Sequence, residues 1–336
     1  MLVQKNDSEK HGRMDTFQNT IRINSQIIIG ENEKPFIVAE IGLNHNNDLE
    51  LGRRTIQAAK KSGANAVKFQ SYTTEEFIDK NNVEAKFLFD IFKQYELNEK
   101  FHREFQKTAT EEGLEFFSTP LCSSAVDLLV SLNVPILKIA SGDLVNSQLL
   151  EKCASTKLPI FLSTGASEFF EIARSLEYLK SLDVKQLCLF HCVSLYPTPA
   201  ENLNLKTIEL FKKIVSCPVG FSDHSSGFLG AVIAIGLGAS VIEKHFTMDK
   251  NLPGPDHTIS ADPNEFQEMV NHCQTAYQML GKERFIPEKR EIEGRFFGRR
   301  SLYQNESNQS WIPLRPAIHL KDKKFPEAWA IEKIIH

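Results

Sequence analysis

Short runs of β-branched and aromatic residues alternate with amphipathic helical stretches along most of this 336-residue chain. Such alternation is typical of βαβ units, which build a parallel sheet. Eight units within about 250 residues match a (β/α)₈ barrel of the TIM type. The predicted strands cover residues 36–42, 66–71, 115–120, 136–141, 159–165, 186–193, 217–223 and 241–246, and the clearest helices cover 49–62, 99–112, 123–132, 168–182 and 227–237.

A doubly wound α/β sheet is the alternative fold. It usually has fewer strands and often carries a glycine-rich phosphate loop after the first one. Here the first predicted strand ends in Gly42-Leu43-Asn44-His45, which does not match the G-x-G-x-x-G pattern. The barrel is therefore the favoured fold.

Segments outside the repeat divide the chain into four parts. Residues 1–20 form a polar leader, and residues 21–281 form the barrel domain, whose first ten residues are predicted to fold as a hairpin that plugs the bottom of the barrel. Residues 282–298 are highly charged and are interpreted as a linker. Residues 299–336 form a small module that is too short to bury much core alone, so we expect it to pack against another surface.

Composition excludes several classes of function. A formal net charge of −4 gives no electrostatic footprint for nucleic acid. The polar N-terminus has no apolar signal-peptide core, and the most apolar run, 230–242, is too short to span a bilayer. The six cysteines form no C-x-x-C pair and are interpreted as reduced thiols used in packing. We therefore expect a cytoplasmic protein without nucleic-acid or membrane partners.

Polar residues occupy the carboxyl ends of the predicted strands. Lys68 and Gln70 share one face of a strand, because residues i and i+2 point the same way. The same spacing joins Ser222 to His224 and Glu243 to His245, and Glu40, Lys138 and Ser141 lie near the ends of two further strands. These ends form the catalytic mouth of a barrel, and buried charges are costly unless they are paired or bound. Five such strand ends predict an active site.

The two histidines at these ends suggest a metal site. Each one alone is more typical of a hydrogen-bonded core histidine, but His224 and His245 lie on adjacent strands, about 4.8 Å apart, and can converge on one ion. Imidazole suits Mn, Fe, Co or Zn. His191, which ends strand six, is interpreted as lying behind these ligands.

Lysines and serines at the same mouth suggest an anion pocket. Lys68 and Lys138 with several nearby serines would suit a phosphate group, although Lys68 paired with Glu40 could also be a structural ion pair. The chain has no Walker A motif, which argues against a nucleotide. A phosphate pocket beside a divalent metal suits activation of a carbonyl next to a phosphorylated co-substrate.

Six motifs, taken in order, make the chain resemble the sialic acid synthase family, whose members condense phosphoenolpyruvate with an N-acetylmannosamine-type sugar. The motifs are FIVAEIGLNH at 36–45, AVKFQ at 66–70, LKIASGD at 137–143, YPTP at 196–199, GFSDH at 220–224 and IEKHFT at 242–247. The resemblance runs from about residue 21 to residue 300. It implies a Mn²⁺-type ion, with Mg²⁺ or Co²⁺ as alternatives, held by His224 and His245.

The resemblance also implies roles for the other residues at the mouth. Phosphoenolpyruvate would be bound by Lys68, Lys138, Ser141, Ser194 and Ser222, and the sugar by Gln70, Tyr196, Glu243 and Asp256. Glu40 would face the reacting centre and handle water or a proton. These assignments make Glu40, Lys68, His224 and His245 the expected catalytic set.

Members of this family end in an antifreeze-like (SAF) domain, whose arginine reaches the active site of the partner subunit in a swapped homodimer. Residues 299–303 resemble the start of that domain, and residues 314–320 resemble the segment that carries the arginine, here Arg315. Ala317 stands where a glycine is usual, and the module is shorter than the family pattern.

The resemblance therefore implies a cytoplasmic transferase that makes a nonulosonic acid and releases phosphate. In this reaction C3 of phosphoenolpyruvate attacks the metal-polarised aldehyde of the sugar, water adds at C2, and C–O cleavage expels phosphate. The alternatives are another metal-dependent barrel enzyme (a keto-deoxy sugar-phosphate synthase or an aldolase) and a non-catalytic sugar-binding barrel. The sugar stays open among N-acetylmannosamine, its 6-phosphate and 2,4-diacetamido-trideoxy sugars.

Overall fold

The computed structural model describes residues 16–282, 284–324 and 327–328. The chain divides into two compact units, residues 1–280 and 281–336. Residues 1–15 of the polar leader and the last residues of the C-terminal module lie outside the described part. Among the described residues, no helix has the length and apolarity needed to span a bilayer.

The first unit contains a closed barrel of eight parallel strands, in the order β10-β3-β4-β5-β6-β7-β8-β9. The predicted TIM-type fold is thereby confirmed. The barrel strands are β3 (Phe36–Gly42), β4 (Ala66–Ser71), β5 (Glu115–Pro120), β6 (Leu137–Ile139), β7 (Ile160–Ser163), β8 (Leu187–Cys192), β9 (Val219–Asp223) and β10 (Val241–His245).

Barrel strands are buried on both faces, because helices cover the outside and side chains fill the inside. All seven residues of β3 are buried, as are all six of β8. This explains why the strands appear in the sequence as nearly continuous apolar runs. The polar residues inside them stand out because little else in these strands is polar.

A hairpin precedes the barrel, as predicted. Its strands β1 (Thr20–Arg22) and β2 (Ile28–Gly30) pair antiparallel, with Ile21 opposite Ile29 and both side chains buried in the core. The side-chain amide of Asn24 donates to Glu115 Oε1 at 2.7 Å, at the start of β5. The hairpin therefore covers the amino ends of the strands. Phe17 is also buried, so the ordered unit begins before residue 21.

Helices connect the strands. They are α1 (Leu49–Lys61), α2 (Thr74–Phe77), α3 (Lys86–Tyr95), α4 (Glu99–Glu111), α5 (Ser123–Ser131), α6 (Ser147–Ser155), α7 (Phe169–Ser181), α8 (Lys206–Ile214), α9 (Leu229–Gly236) and α10 (Pro263–Leu280). Each of the five helices predicted from the sequence is present. The carboxylate of Asp48 accepts from the backbone of Glu50 and Leu51 and fixes the start of α1, an N-cap visible in the sequence.

The connection after β4 holds two helices, α2 and α3, that the sequence did not predict. They build a small hydrophobic cluster at the mouth of the barrel, separate from the main core. Its buried members include Leu43, Tyr72 and Tyr95, with Phe77 and Phe92 packed against them. This connection therefore forms a wall beside the mouth.

The second unit contains α11 (Lys289–Gly298) and a pair of antiparallel strands, β11 (Ser301–Gln304) and β12 (Trp311–Leu314). The segment interpreted as a linker, 282–298, thus contains a helix. Glu288 and Glu291 form a capping box at its start, a pattern hidden by the many charges around it. Arg315 is exposed just after β12, and Ala317 is buried.

Candidate active site

A cavity of about 540 Å³ opens at the carboxyl ends of the barrel strands, a volume usual for a small-molecule site. Eleven of the thirteen residues singled out from the sequence line it, namely Glu40, Lys68, Gln70, Lys138, Ser141, Ser194, Tyr196, Ser222, His224, Glu243 and His245. Asp256 lies next to His245, with 3.8 Å between Asp256 Oδ2 and His245 Nδ1. Arg315 belongs to the second unit.

Four buried charges cross the floor of the cavity. Lys68 Nζ lies 2.9 Å from Glu40 Oε2 and 3.5 Å from Glu243 Oε1, and it donates to Thr119 Oγ1 at 3.0 Å. Lys138 Nζ donates to the same Glu243 oxygen at 3.1 Å. All four charged side chains are at most 5% exposed. The pairing offsets the desolvation cost of burying these side chains, because two positive and two negative charges balance.

The two carboxylates of this network differ in their acidity. Burial raises the pKa of Glu40 to about 7, and the attraction of Lys68 offsets only part of that rise. Burial acts on Glu243 in the same direction, but Lys138 and Lys68 together hold its pKa at about 2. Glu40 is therefore the group that exchanges a proton near neutral pH, which suits acid–base chemistry. Glu243 stays a permanent anion between the two lysines.

The imidazole of His224 has a defined tautomer. Its Nδ1 lies 2.8 Å from the backbone oxygen of Val193, and a carbonyl oxygen only accepts, so Nδ1 carries the proton. Nε2 lies 3.3 Å from Ser222 Oγ, and that hydroxyl donates to Glu243 Oε1 at 3.0 Å. The ring stacks on Tyr196, with 4.2 Å between the ring centroids. A metal-binding histidine is usually oriented by such a bond from its other nitrogen.

His245 lies beside His224, with 5.6 Å between the ring centroids. Burial lowers its pKa, so the ring is neutral near pH 7. Its Nδ1 is buried and has no hydrogen-bond partner among the described residues. Two imidazoles side by side at the cavity, the one of His245 neutral, fit a divalent metal.

The protein ligands of such a metal are few. In the described ranges, no group of three or more His, Cys, Asp and Glu side chains is arranged to hold a metal ion. The two histidines would therefore supply part of the coordination shell, and water or substrate oxygens the rest. Open positions of this kind are typical of catalytic rather than structural metal sites.

Serine hydroxyls surround a small space near Gly165. The backbone N–H of Gly165 donates to Ser141 Oγ at 3.0 Å. A Cβ at residue 165 would come within 2.3 Å of Ser194 Oγ and 2.8 Å of Ser141 Oγ, so a larger residue would displace these hydroxyls. Ser163 Oγ is buried without a hydrogen-bond partner among the described residues and also lines the cavity. These hydroxyls beside Lys138 form a cradle for an anion.

A second space lies over Gly42, whose φ is +53°. A Cβ there would meet Glu40 Oε1 at 3.1 Å, Asp256 Oδ2 at 3.4 Å and Gln70 Nε2 at 3.5 Å. Two acceptors and one donor thus converge from three different segments. The arrangement suits a hydroxyl group of a ligand.

Several cavity residues were missed in the sequence. Thr119 and Ser163 lie at inward-facing positions at or next to the ends of β5 and β7. The i, i+2 spacing along each strand could have identified both. Phe77, Leu88, Phe92 and Leu121 form an apolar wall on one side, and nothing in the local sequence distinguishes them from core residues.

One cysteine departs from the packing role assigned to all six. All are buried free thiols, but Cys192 also lines the cavity, and its Sγ lies 3.9 Å from His224 Nδ1. His191 does not face the cavity. Its Nε2 lies 2.7 Å from the backbone oxygen of Leu203, and its ring stacks on Phe221.

Comparison with known proteins identifies relatives of this chain. The model of the NeuB family matches residues 55–285. An uncharacterized protein from Methanocaldococcus jannaschii is 47% identical over 274 residues, which cover 82% of this chain and 80% of that protein. N,N'-diacetyllegionaminic acid synthase from Legionella pneumophila is 40% identical over 282 residues, 80% of this chain and 79% of that enzyme. Human N-acetylneuraminate-9-phosphate synthase is 34% identical over 263 residues, 75% and 73% of the two chains.

Solved structures agree with this grouping. The N-acetylneuraminic acid synthetase from Leptospira borgpetersenii, crystallised with citrate, superposes with a TM-score of 0.77 at 35% identity, covering 84% of this chain and 96% of that one. A truncated 3-deoxy-D-arabino-heptulosonate 7-phosphate synthase from Thermotoga maritima superposes with a TM-score of 0.64 over 80% of this chain and 95% of that one. At 18% identity, this second likeness concerns the fold alone.

Proposed function

The chain belongs to the NeuB family, and from that premise we propose that it condenses phosphoenolpyruvate with an acetamido sugar, forming a nonulosonic acid and inorganic phosphate. Named relatives of the chain are sialic, pseudaminic and legionaminic acid synthases. The observation that carries the proposal is the single cavity in which two buried lysines, an anion cradle and two histidines meet.

The anion pocket supports phosphoenolpyruvate as one substrate. Its phosphate and carboxylate groups need cations and hydroxyl donors, and the cavity offers Lys68, Lys138 and the serines around Gly165. Charge-assisted hydrogen bonds in a buried site are stronger than the same bonds in water. We assign the cradle to the phosphate group and the floor of the cavity to the carboxylate.

The histidine pair supports an aldehyde as the other reacting group. We propose that His224 and His245 hold a divalent cation, Mn²⁺ first and Mg²⁺ or Co²⁺ as alternatives. Such an ion, when bound, would polarise the carbonyl of the open-chain sugar. Gln70 and Asp256, which converge over Gly42, would hold its hydroxyl groups.

The proposed reaction balances without a further reactant. A bond forms between C3 of phosphoenolpyruvate and the aldehyde carbon, water adds its oxygen to C2, and the C2–O bond to phosphate breaks. Both protons of the water leave its oxygen: the first goes when water attacks C2, and the second leaves the C2 hydroxyl with the departing phosphate as the C2 ketone forms. One proton is needed at the new alkoxide. Glu40 is placed to take up the first, because its pKa of about 7 lets it exist in both forms at neutral pH.

We further propose that the protein works as a homodimer in which Arg315 of one copy serves the site of the other. Arg315 is exposed at the end of β12, as a residue offered to a second chain would be. A cytoplasmic location remains part of the proposal, because phosphoenolpyruvate is a cytoplasmic metabolite.

The proposal is tested by phosphate release. The purified protein is incubated with phosphoenolpyruvate and a panel of unphosphorylated acetamido sugars, with and without excess EDTA. We expect sugar-dependent phosphate release that EDTA abolishes and that added Mn²⁺ restores. Turnover only with phosphorylated aldoses would favour a keto-deoxy sugar-phosphate synthase, and sugar binding without any turnover would favour a binding protein.

A further inference from the structure

The walls of the cavity differ in polarity, and this difference affects which sugar the cavity can bind. Two sides are polar, and the third is the apolar wall of Phe77, Leu88, Phe92 and Leu121. We propose, on the basis of the function proposed above, that the sugar is an unphosphorylated 6-deoxy acetamido hexose and that this wall selects its terminal methyl group.

The direction in which the sugar lies follows from the order of the strands. The histidines are on β9 and β10, whereas the wall comes from the connection after β4 and from Leu121 just after β5. In the closed order, β5 lies four strands from β9, which places it across the mouth. An aldehyde at the histidines therefore directs the other end of the sugar towards the wall. The polar space over Gly42 lies on β3, between the two.

Within one chain, the cations of the cavity leave none for a sugar phosphate. Lys68 and Lys138 are the only lysine or arginine side chains that line it in the described part of the chain. Both are buried on the floor, where the carboxylate and phosphate of phosphoenolpyruvate already require them. A second phosphate at the far end of the sugar would lie against apolar side chains and would face no cation of the same chain, which is unfavourable.

The wall also has no partner for a terminal hydroxyl group. Its four side chains contain only carbon and hydrogen, and the two rings pack edge to face, with 5.0 Å between the centroids of Phe77 and Phe92. Tyr72, behind them, already donates its hydroxyl to the backbone oxygen of Phe92 at 3.0 Å. A hydroxymethyl group would lose water here and gain no hydrogen bond, whereas a methyl group loses nothing.

The size of the preference is bounded. An apolar pocket rejects an added hydroxyl group by at most about a hundredfold. We therefore expect kcat/KM for a 6-deoxy sugar to exceed that of its 6-hydroxy counterpart by about ten- to a hundredfold.

The test compares four sugars at saturating phosphoenolpyruvate, with phosphate release as the readout. N-acetylmannosamine and its 6-deoxy analogue form a pair that differs in one oxygen atom. N-acetylmannosamine 6-phosphate tests the missing cation, and 2,4-diacetamido-2,4,6-trideoxymannose tests a second acetamido group together with the methyl terminus. We expect the two deoxy sugars to be preferred and the 6-phosphate to be the poorest substrate.

A matched pair of variants locates the selection. Leu88 lines the cavity, whereas its neighbour Phe87 does not and is 76% exposed. Leu88→Gln should reduce the preference for the 6-deoxy sugar at least several-fold by offering the hydroxyl a partner. Phe87→Gln, on the same helix, should leave the preference unchanged.

The outcomes separate the role of the wall from the proposed synthase function. Equal kcat/KM for the matched sugars, or equal effects of the two variants, would overturn the role of the wall while leaving the synthase function in place. Faster turnover of the 6-phosphate would do the same and would point to a recruited cation such as Arg315. Failure of all four sugars to release phosphate would refute the proposed function itself, and the inference with it.

Discussion

Glu40 should make the free energy of unfolding of the barrel depend on pH, and the substitution Glu40→Gln should remove that dependence. Its pKa rises from an ordinary value of 4.5 to about 7 on folding, mainly through burial. The folded chain therefore holds a proton that the unfolded chain releases between these two pH values. Because the folded state binds more protons in that window, the free energy of unfolding falls as pH rises through it. Glu40→Gln, which cannot ionise, should abolish this part of the decline.

The expected magnitude follows from the two pKa values. A rise from 4.5 to about 7 corresponds to about 3 kcal/mol once Glu40 is fully ionised. Most of that, about 2 to 3 kcal/mol, is lost between pH 5 and pH 8. Relative to wild type, Glu40→Gln should therefore gain about 2 to 3 kcal/mol in free energy of unfolding over this interval, whatever its absolute stability at pH 5.

The measurement is urea denaturation at pH 5 and pH 8, followed by far-UV circular dichroism. Tryptophan fluorescence is not the readout, because residues 1–280 contain no tryptophan. Glu201→Gln is the control, since Glu201 is exposed and its substitution should leave the pH dependence unchanged. A difference between wild type and Glu40→Gln that is the same at both pH values would refute the argument.

Four further substitutions test the site directly. His224→Ala should abolish sugar-dependent phosphate release and weaken Mn²⁺ binding measured by calorimetry, with an unchanged circular dichroism spectrum; turnover by fully metal-free wild type would contradict the metal assignment. Lys68→Met should raise the KM for phosphoenolpyruvate more than the KM for the sugar, and equal rises would argue against its place in the anion pocket. Gly165→Ala should weaken phosphoenolpyruvate binding at least tenfold, because its Cβ would displace the Ser194 hydroxyl, and wild-type affinity would remove the cradle from the proposal. Arg315→Ala mixed with His224→Ala after unfolding and reassembly should regain partial activity if Arg315 serves the partner's site, whereas persistent inactivity, or full activity of Arg315→Ala alone, would exclude that role.

The barrel and the floor of its cavity could be predicted because both leave a strong mark on the sequence. Strands buried on two faces are nearly all apolar, so a lysine or glutamate inside one, such as Lys68 or Glu243, is conspicuous. The period of two along a strand then assigns each residue to a face, and the fold brings the strand ends together. No knowledge of the tertiary contacts was needed for these positions.

The apolar wall could not be predicted for the opposite reason. Phe77 and Phe92 lie on short helices in a connection, where an aromatic residue is most simply explained as part of a core. Whether its ring is covered by the protein or faces a ligand depends on how the helices fold back over the mouth. The local sequence pattern does not show which of the two surrounds the ring. The helix within 282–298 was missed in a similar way, because its capping box lies among many other charges.

The balance of charge in the cavity links Glu40 to the binding of the anionic substrate. Without a ligand, two lysines and two carboxylates cancel, so phosphoenolpyruvate brings a net negative charge into a buried site. Glu243 cannot relieve this by taking up a proton, since Lys138 and Lys68 hold its pKa at about 2. Glu40, with a pKa of about 7, can do so once Lys68 turns towards the ligand. Binding of the anion should therefore load Glu40 with a proton, which C–C bond formation can then use at the new alkoxide, leaving a carboxylate ready to accept the proton of the attacking water.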